Sequence, residues 1–153
     1  MATCAARSAR AGAAASSGTA SGAGFGTKAD VIADSQGRAI GFARAPGQAH
    51  ELLLAPKLLA HLDAVPCWLV ADHGYRSHGL RQHVRNLGAK PAIPCTNEEQ
   101  VRCPAWIYVN RHRVEQLWAR LKEWRAIATR YDKTARSFIG VLCLAATCDW
   151  LKR

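Results

Sequence analysis

No uninterrupted apolar stretch in this 153-residue chain reaches the roughly 18 residues that a bilayer-spanning helix needs, so no membrane span is expected. Arg7 and Arg10 stand near the N-terminus, but only Ala, Gly and Ser follow them. Without an apolar h-region, a secretory signal is not expected either. The six cysteines (Cys4, Cys67, Cys95, Cys103, Cys143 and Cys148) include no pair at the two-residue spacing of zinc ribbons and redox motifs. Free thiols in a reducing compartment are the simpler account, and a bacterial-type cytoplasm is the expected location. Acidic side chains are also scarce. Eleven Asp and Glu face 21 Lys and Arg, for a net charge of +10. A chain so short of acid favours a polyanionic partner, of which nucleic acid is the common one. Solubility alone is the alternative reading of the same charge.

What is present is enough for one domain. Hydrophobic residues make up 49% of the chain, although part of that is alanine in the first 24 residues. Residues 1–24 are low-complexity Ala, Gly and Ser, and are expected to be disordered because they offer little apolar surface to offset chain entropy. Residues 25–153 form the expected domain. Thr27–Arg44 reads as two short strands around the turn sequence Asp34-Ser35-Gln36-Gly37, with Pro46-Gly47 closing the hairpin. Leu52, Leu54, Leu58, Leu59 and Leu62 recur at helical spacing, with Pro56 either in the first helical turn or at a kink. Cys67-Trp68-Leu69-Val70-Ala71 reads as a strand buried on both faces and ends at Asp72. Ser77 caps a helix through Asn86 that Gly88 closes, and Ala89–Pro94 is a short strand. Helices follow over 107–124 and 134–151. This order of elements predicts an α/β domain with a mixed sheet.

Two carboxylates stand out. Asp72 lies where a central strand ends, and ligands of open α/β sheets gather at the carboxyl ends of strands. A simple cap for the following turn is the structural alternative. Glu115 belongs to a set, Tyr108, Arg111, Glu115 and Lys122, at offsets 0, 3, 7 and 14. At roughly 100° per residue these fall within an arc of about 60° on one helix edge. One acid held among cations suits a site for a metal ion and a phosphate diester. A surface Arg111–Glu115 pair at i, i+4, worth about 0.3–0.5 kcal/mol, is the alternative.

The same residues resemble a known family. Tyr, two residues, Arg, three residues, Glu, six residues, Lys is the pattern of bacterial insertion-sequence transposases. Arg125–Lys133 is similar to the segment that follows it in the family-five group of these elements. Ala71-Asp72-His73-Gly74-Tyr75, Pro91-Ala92-Ile93-Pro94 and Ala45-Pro46-Gly47-Gln48-Ala49-His50 also resemble that group, in the same order. The resemblance implies a ribonuclease-H-like fold and a DDE active site. There two Asp and one Glu hold two divalent ions, Mg²⁺ or Mn²⁺, that serve DNA cleavage and strand transfer. It implies that Asp72 is the second Asp and Glu115 the Glu, both catalytic and metal-binding. Arg111 and Lys122 would contact DNA phosphates, and Tyr108 would support the carboxylate. DNA, at the element ends and target, is the implied partner, with a second copy of the chain as a further candidate.

The family's first Asp lies on its first, central strand, upstream of the hairpin. No Asp precedes Asp30 here. The first strand is therefore expected to be missing, supplied by an upstream frame or lost, and Asp30 and Asp34 are the nearby substitutes. The family's Asp after the Pro-Gly-Gln-x-His segment is Glu51 in this chain. A truncated or split transposase is the first functional expectation. A non-catalytic basic DNA-binding remnant and a nuclease acting on another nucleic acid are the alternatives. The basic excess continues to the C-terminus, where residues 108–153 hold ten Lys and Arg against four Asp and Glu. Binding to duplex DNA should accordingly weaken by about 10³-fold or more between 50 and 200 mM salt, read by fluorescence anisotropy. A flat salt response would mean that this charge does not serve phosphate contact.

Overall fold

The computed structural model describes residues 3–9, 27–46, 49–93, 105–129 and 134–152. Five strands form one mixed sheet: β1 (Thr3–Ala9), β2 (Thr27–Ala33), β3 (Ala39–Pro46), β4 (Trp68–Ala71) and β5 (Lys90–Ala92). Their order across the sheet is β3-β2-β1-β4-β5. β3 and β2 pair antiparallel, as do β2 and β1, whereas β1, β4 and β5 run parallel.

Two expectations are corrected here. Thr3–Ala9 is a strand rather than part of a disordered tail, and the central strand is supplied by the chain itself. Its register matches Ala5 with Ala33 on one side and with Val70 on the other. An alanine-rich segment has little intrinsic preference for a strand, but two flanking strands offer it a full set of backbone partners. Tertiary context of this kind overrides local propensity.

Helices cover both faces. On one face lie α1 (Ala55–Leu59) and α2 (His78–Asn86). Leu54, Leu58, Tyr75 and Val84 pack there on Ile32, Leu69 and Ala71. Pro56 lies in the first turn of α1, where its missing N–H costs nothing, so the helix starts there rather than kinking. Ser77 caps α2 through its Oγ, which accepts from the Leu80 amide at 3.4 Å, and Gly88 follows with φ of 92°.

The other face carries α3 (Ala105–Tyr108), α4 (His112–Lys122), α5 (Arg125–Thr129) and α6 (Ala135–Leu151). α4 buries Val114, Leu117, Trp118 and Leu121, an i, i+3, i+4, i+7 stripe, against Val31, Val70 and α6. Each such side chain contributes about 1.5–3 kcal/mol. Trp118 meets Phe42 edge-on with ring centroids 6.2 Å apart. The expected continuous helix over 107–124 is interrupted. Val109–Arg111 forms a 3-10 turn between α3 and α4, and the Asn110 side chain donates to the Trp106 carbonyl at 3.0 Å. A short amide that bonds the backbone locally offers an alternative to the regular helix ladder.

The β2–β3 turn is fastened to the helices. Asp34 Oδ1 accepts from the amides of Gln36 and Arg38, both at 2.9 Å, and Oδ2 accepts from Arg38 Nε at 2.8 Å. Arg120 donates to the Gly37 carbonyl at 2.7 Å and pairs with Asp149 at 2.8 Å. Trp150 Nε1 donates to the Ala39 carbonyl at 2.7 Å, with the Arg38 guanidinium 4.0 Å from the ring centroid. Among the described residues no helix is long and apolar enough to cross a membrane.

A proline in a central strand removes a ladder bond, which is why proline is confined to edge strands, strand starts and bulges. Ala5→Pro should therefore abolish cooperative thermal unfolding followed by circular dichroism. A melt like that of the parent chain would show that residues 3–9 do not lie between β2 and β4.

Candidate active site

β4 delivers Asp72 to the carboxyl end of the sheet, next to the central strand. Its backbone is extended, with φ −77° and ψ 171°, and it caps the 3-10 turn His73–Tyr75. Oδ1 accepts from the His73 amide at 2.7 Å. The same oxygen accepts from Arg111 Nη1 at 3.0 Å. Strand alternation explains the second contact. Leu69 and Ala71 face α1 and α2, whereas Val70 faces α4, so Asp72 falls on the α4 side.

Arg111 closes the 3-10 turn that leads into α4, and Glu115 sits in that helix's first turn. An acid there is favoured by the helix dipole, by about 0.3–1 kcal/mol. Arg111 Nη2 lies 3.8 Å from Glu115 Oε1. One guanidinium thus spans two carboxylates far apart in sequence. All three side chains are partly open to solvent, at 34% for Arg111, 24% for Asp72 and 38% for Glu115. The i, i+4 pair expected from spacing is present, but it is one half of a larger contact. Nothing local in the sequence signals the Asp72–Arg111 half, because docking of α4 on the sheet creates it.

Lys122 ends α4 and is exposed, two helical turns from Glu115. At 1.5 Å per residue that is about 10 Å along the helix axis. Tyr108 ends α3, and its side chain lies outside the described residues, as does that of Glu51. Segments 94–104 and 130–133, which include Pro94 and Tyr131, also lie outside them. His73 is exposed, with Nε2 3.3 Å from Arg76 Nη1.

The two substitute acids go elsewhere. Asp34 is committed to the hairpin turn described above. Asp30 is fully buried on β2 and accepts a hydrogen bond from the Tyr75 hydroxyl. Ala29 and Val31 face α4, so Asp30 faces the opposite layer, with Tyr75 and Ile32. It cannot join Asp72 and Glu115 through the sheet. β1 reads Thr-Cys-Ala-Ala-Arg-Ser-Ala and holds no acid, and Arg7 stands level with Asp72 in the continued β1–β4 register. Among the described residues there is no group of three Asp, Glu, His or Cys arranged for a metal ion.

The model of the Transposase DDE domain family matches residues 69–152, more than half of the chain and both carboxylates. The chain belongs to the DDE transposases of bacterial insertion sequences. It is 32% identical over 130 residues to a Brucella ovis protein described as a transposase for insertion sequence element IS6501. That match covers 82% of this chain and 98% of the relative. No solved structure matches it. DDE transposases act on DNA, and the basic balance of this member agrees with such a partner.

Removing Asp34 and removing Asp72 should have different consequences. Asp34→Ala loses three bonds of a half-buried turn and should cost about 2–3 kcal/mol in urea denaturation. Asp72→Ala loses an open ion pair and a cap, and should cost about 1 kcal/mol or less. Equal costs would place Asp72 among the structural acids.

Proposed function

We propose that this chain is the catalytic portion of an insertion-sequence transposase with a ribonuclease-H-like domain, and that Asp72 and Glu115 are its metal-binding acids. The single observation that carries this is the convergence of both acids on one cationic group, Arg111, at the carboxyl end of the sheet. The strand order, with three antiparallel strands leading into parallel β4 and β5, supports the fold reading.

The donor set suits a hard divalent ion. Mg²⁺ retains several waters and is held by one or two carboxylates together with substrate phosphates. Asp72 and Glu115 supply that much for one ion. A complete two-ion site needs a further donor from outside the described residues. When bound, Mg²⁺ or Mn²⁺ would polarise the scissile phosphate and ease deprotonation of the attacking water or 3′-hydroxyl. The residues of the chain do the rest. The His73 amide fixes the Asp72 carboxylate, α4 presents Glu115 beside it, and Arg111 and Lys122 meet phosphate oxygens. Tyr108, just before the 3-10 turn, supports the acid edge. The products are a cleaved element end and, on joining its 3′-hydroxyl to a target strand, a transposed one.

A second reading, a DNA-binding remnant without chemistry, is favoured by two observations: β1 lacks an acid, and Asp30 faces away. Nicking of supercoiled DNA in Mn²⁺ separates the two. Asp72→Ala and Glu115→Ala should each lower the rate by at least about 10²-fold while DNA binding persists. Full activity in both variants would refute the assigned acids. A folded, DNA-binding parent chain that never nicks would favour the remnant.

A further inference from the structure

Arg111 does more than await a phosphate. Its two terminal nitrogens are turned to Asp72 Oδ1 at 3.0 Å and toward Glu115 Oε1 at 3.8 Å. A divalent ion held by the same carboxylates would set two positive charges beside the single one of the guanidinium, and like charges repel. Ion and guanidinium therefore compete for one position. The partial exposure of Arg111, and its place in a 3-10 turn rather than in a packed helix, leave it room to swing outward.

We infer that Arg111 is the resident counter-cation of the Asp72–Glu115 pair, holding the acids together before metal entry and moving to substrate phosphate as the ion arrives. This rests on the assignment of the two acids as metal ligands. It gives Arg111 a positioning role with two stations rather than a phosphate contact alone, and it couples metal entry to DNA binding. DNA that draws the guanidinium away raises affinity for the ion, and by linkage the ion raises affinity for DNA.

The test is Mn²⁺ binding to the full chain without DNA, read by the loss of the free-ion electron paramagnetic resonance signal. Arg111→Gln should bind Mn²⁺ about tenfold more tightly than the parent chain, because a competing charge has gone. Arg111→Lys keeps the charge but reaches one acid at a time, and should fall between them. Without metal, Arg111→Gln should melt lower than the parent chain, and saturating Mn²⁺ should raise its melting temperature by more. A structural role alone would lower the melt without tightening the ion. Equal or weaker Mn²⁺ binding in a folded Arg111→Gln chain would overturn the inference while leaving the acid assignment standing, provided that Asp72→Ala still weakens binding. Mn²⁺ binding indifferent to both Asp72→Ala and Glu115→Ala would overturn the assignment and the inference together.

Discussion

The pairing of β1 on both of its edges is the constraint on which the remaining architecture rests. On one side it binds the β2–β3 hairpin, and on the other it sets β4 and β5 parallel to itself. Without it the sheet would fall into two small pieces, each with an edge of buried amides and carbonyls, at about 1–3 kcal/mol for each unsatisfied group. The directional pairing of Thr3–Ala6 with Trp68–Ala71 sets the end of β4, and so Asp72, beside the middle of the sheet. Ligand sites of open α/β sheets form at such positions because strand ends leave backbone groups and short loops facing a crevice.

A second constraint sets where α4 lies on that sheet. Hydrophobic packing places its Val114, Leu117, Trp118 and Leu121 stripe on the strands, but apolar contact is non-directional and would tolerate sliding. Directional contacts resist it. Arg120 clasps Asp149 of α6 and the Gly37 carbonyl, and Arg113 is packed so closely against Gly37 that a Cβ there would lie 3.2 Å from its carbonyl oxygen. Gly37 itself has φ of 75°, the left-handed region that glycine adopts without strain. The turn therefore serves as an abutment for α4. A shift of one residue in that helix would carry Glu115 by about 100° around the axis and away from Asp72.

Much of this was legible in the sequence, because local chemistry decided it. Ser77 and Gly88 marked the ends of α2, Thr134 marked the start of α6, and the apolar run before Asp72 marked β4. Glu115 with Arg111 could be read from helical spacing, and Asp72 from its place after a strand. The strand at Thr3–Ala9 could not, since nothing in Ala-rich text distinguishes a tail from a strand held by its neighbours. Nor could the 3-10 turn at Val109–Arg111, where the Asn110 side chain donates to the Trp106 carbonyl. The Asp72–Arg111 contact was also hidden, because it spans elements that meet only once β4 is set beside β1.

The fate of Asp30 shows why proximity in sequence misleads in a sheet. Register places Asp30 opposite Ser8 of β1, close to the level at which β4 ends, so it belongs to the same end of the sheet as Asp72. Side chains alternate with a period of two, however, and parity puts Asp30 in the layer of Tyr75. The β2 positions that face the layer holding Glu115 are Ala29, Val31 and Ala33, and all three are apolar. A carboxylate one residue away along the strand is thus separated from the acid pair by the whole thickness of the sheet. Burial with the Tyr75 hydroxyl as donor is the state its chemistry demands there, since a buried acid must be hydrogen-bonded. Any third acid has to reach Asp72 and Glu115 from the α4 side, and on that side the described chain offers the pair a cation, Arg111, in its place.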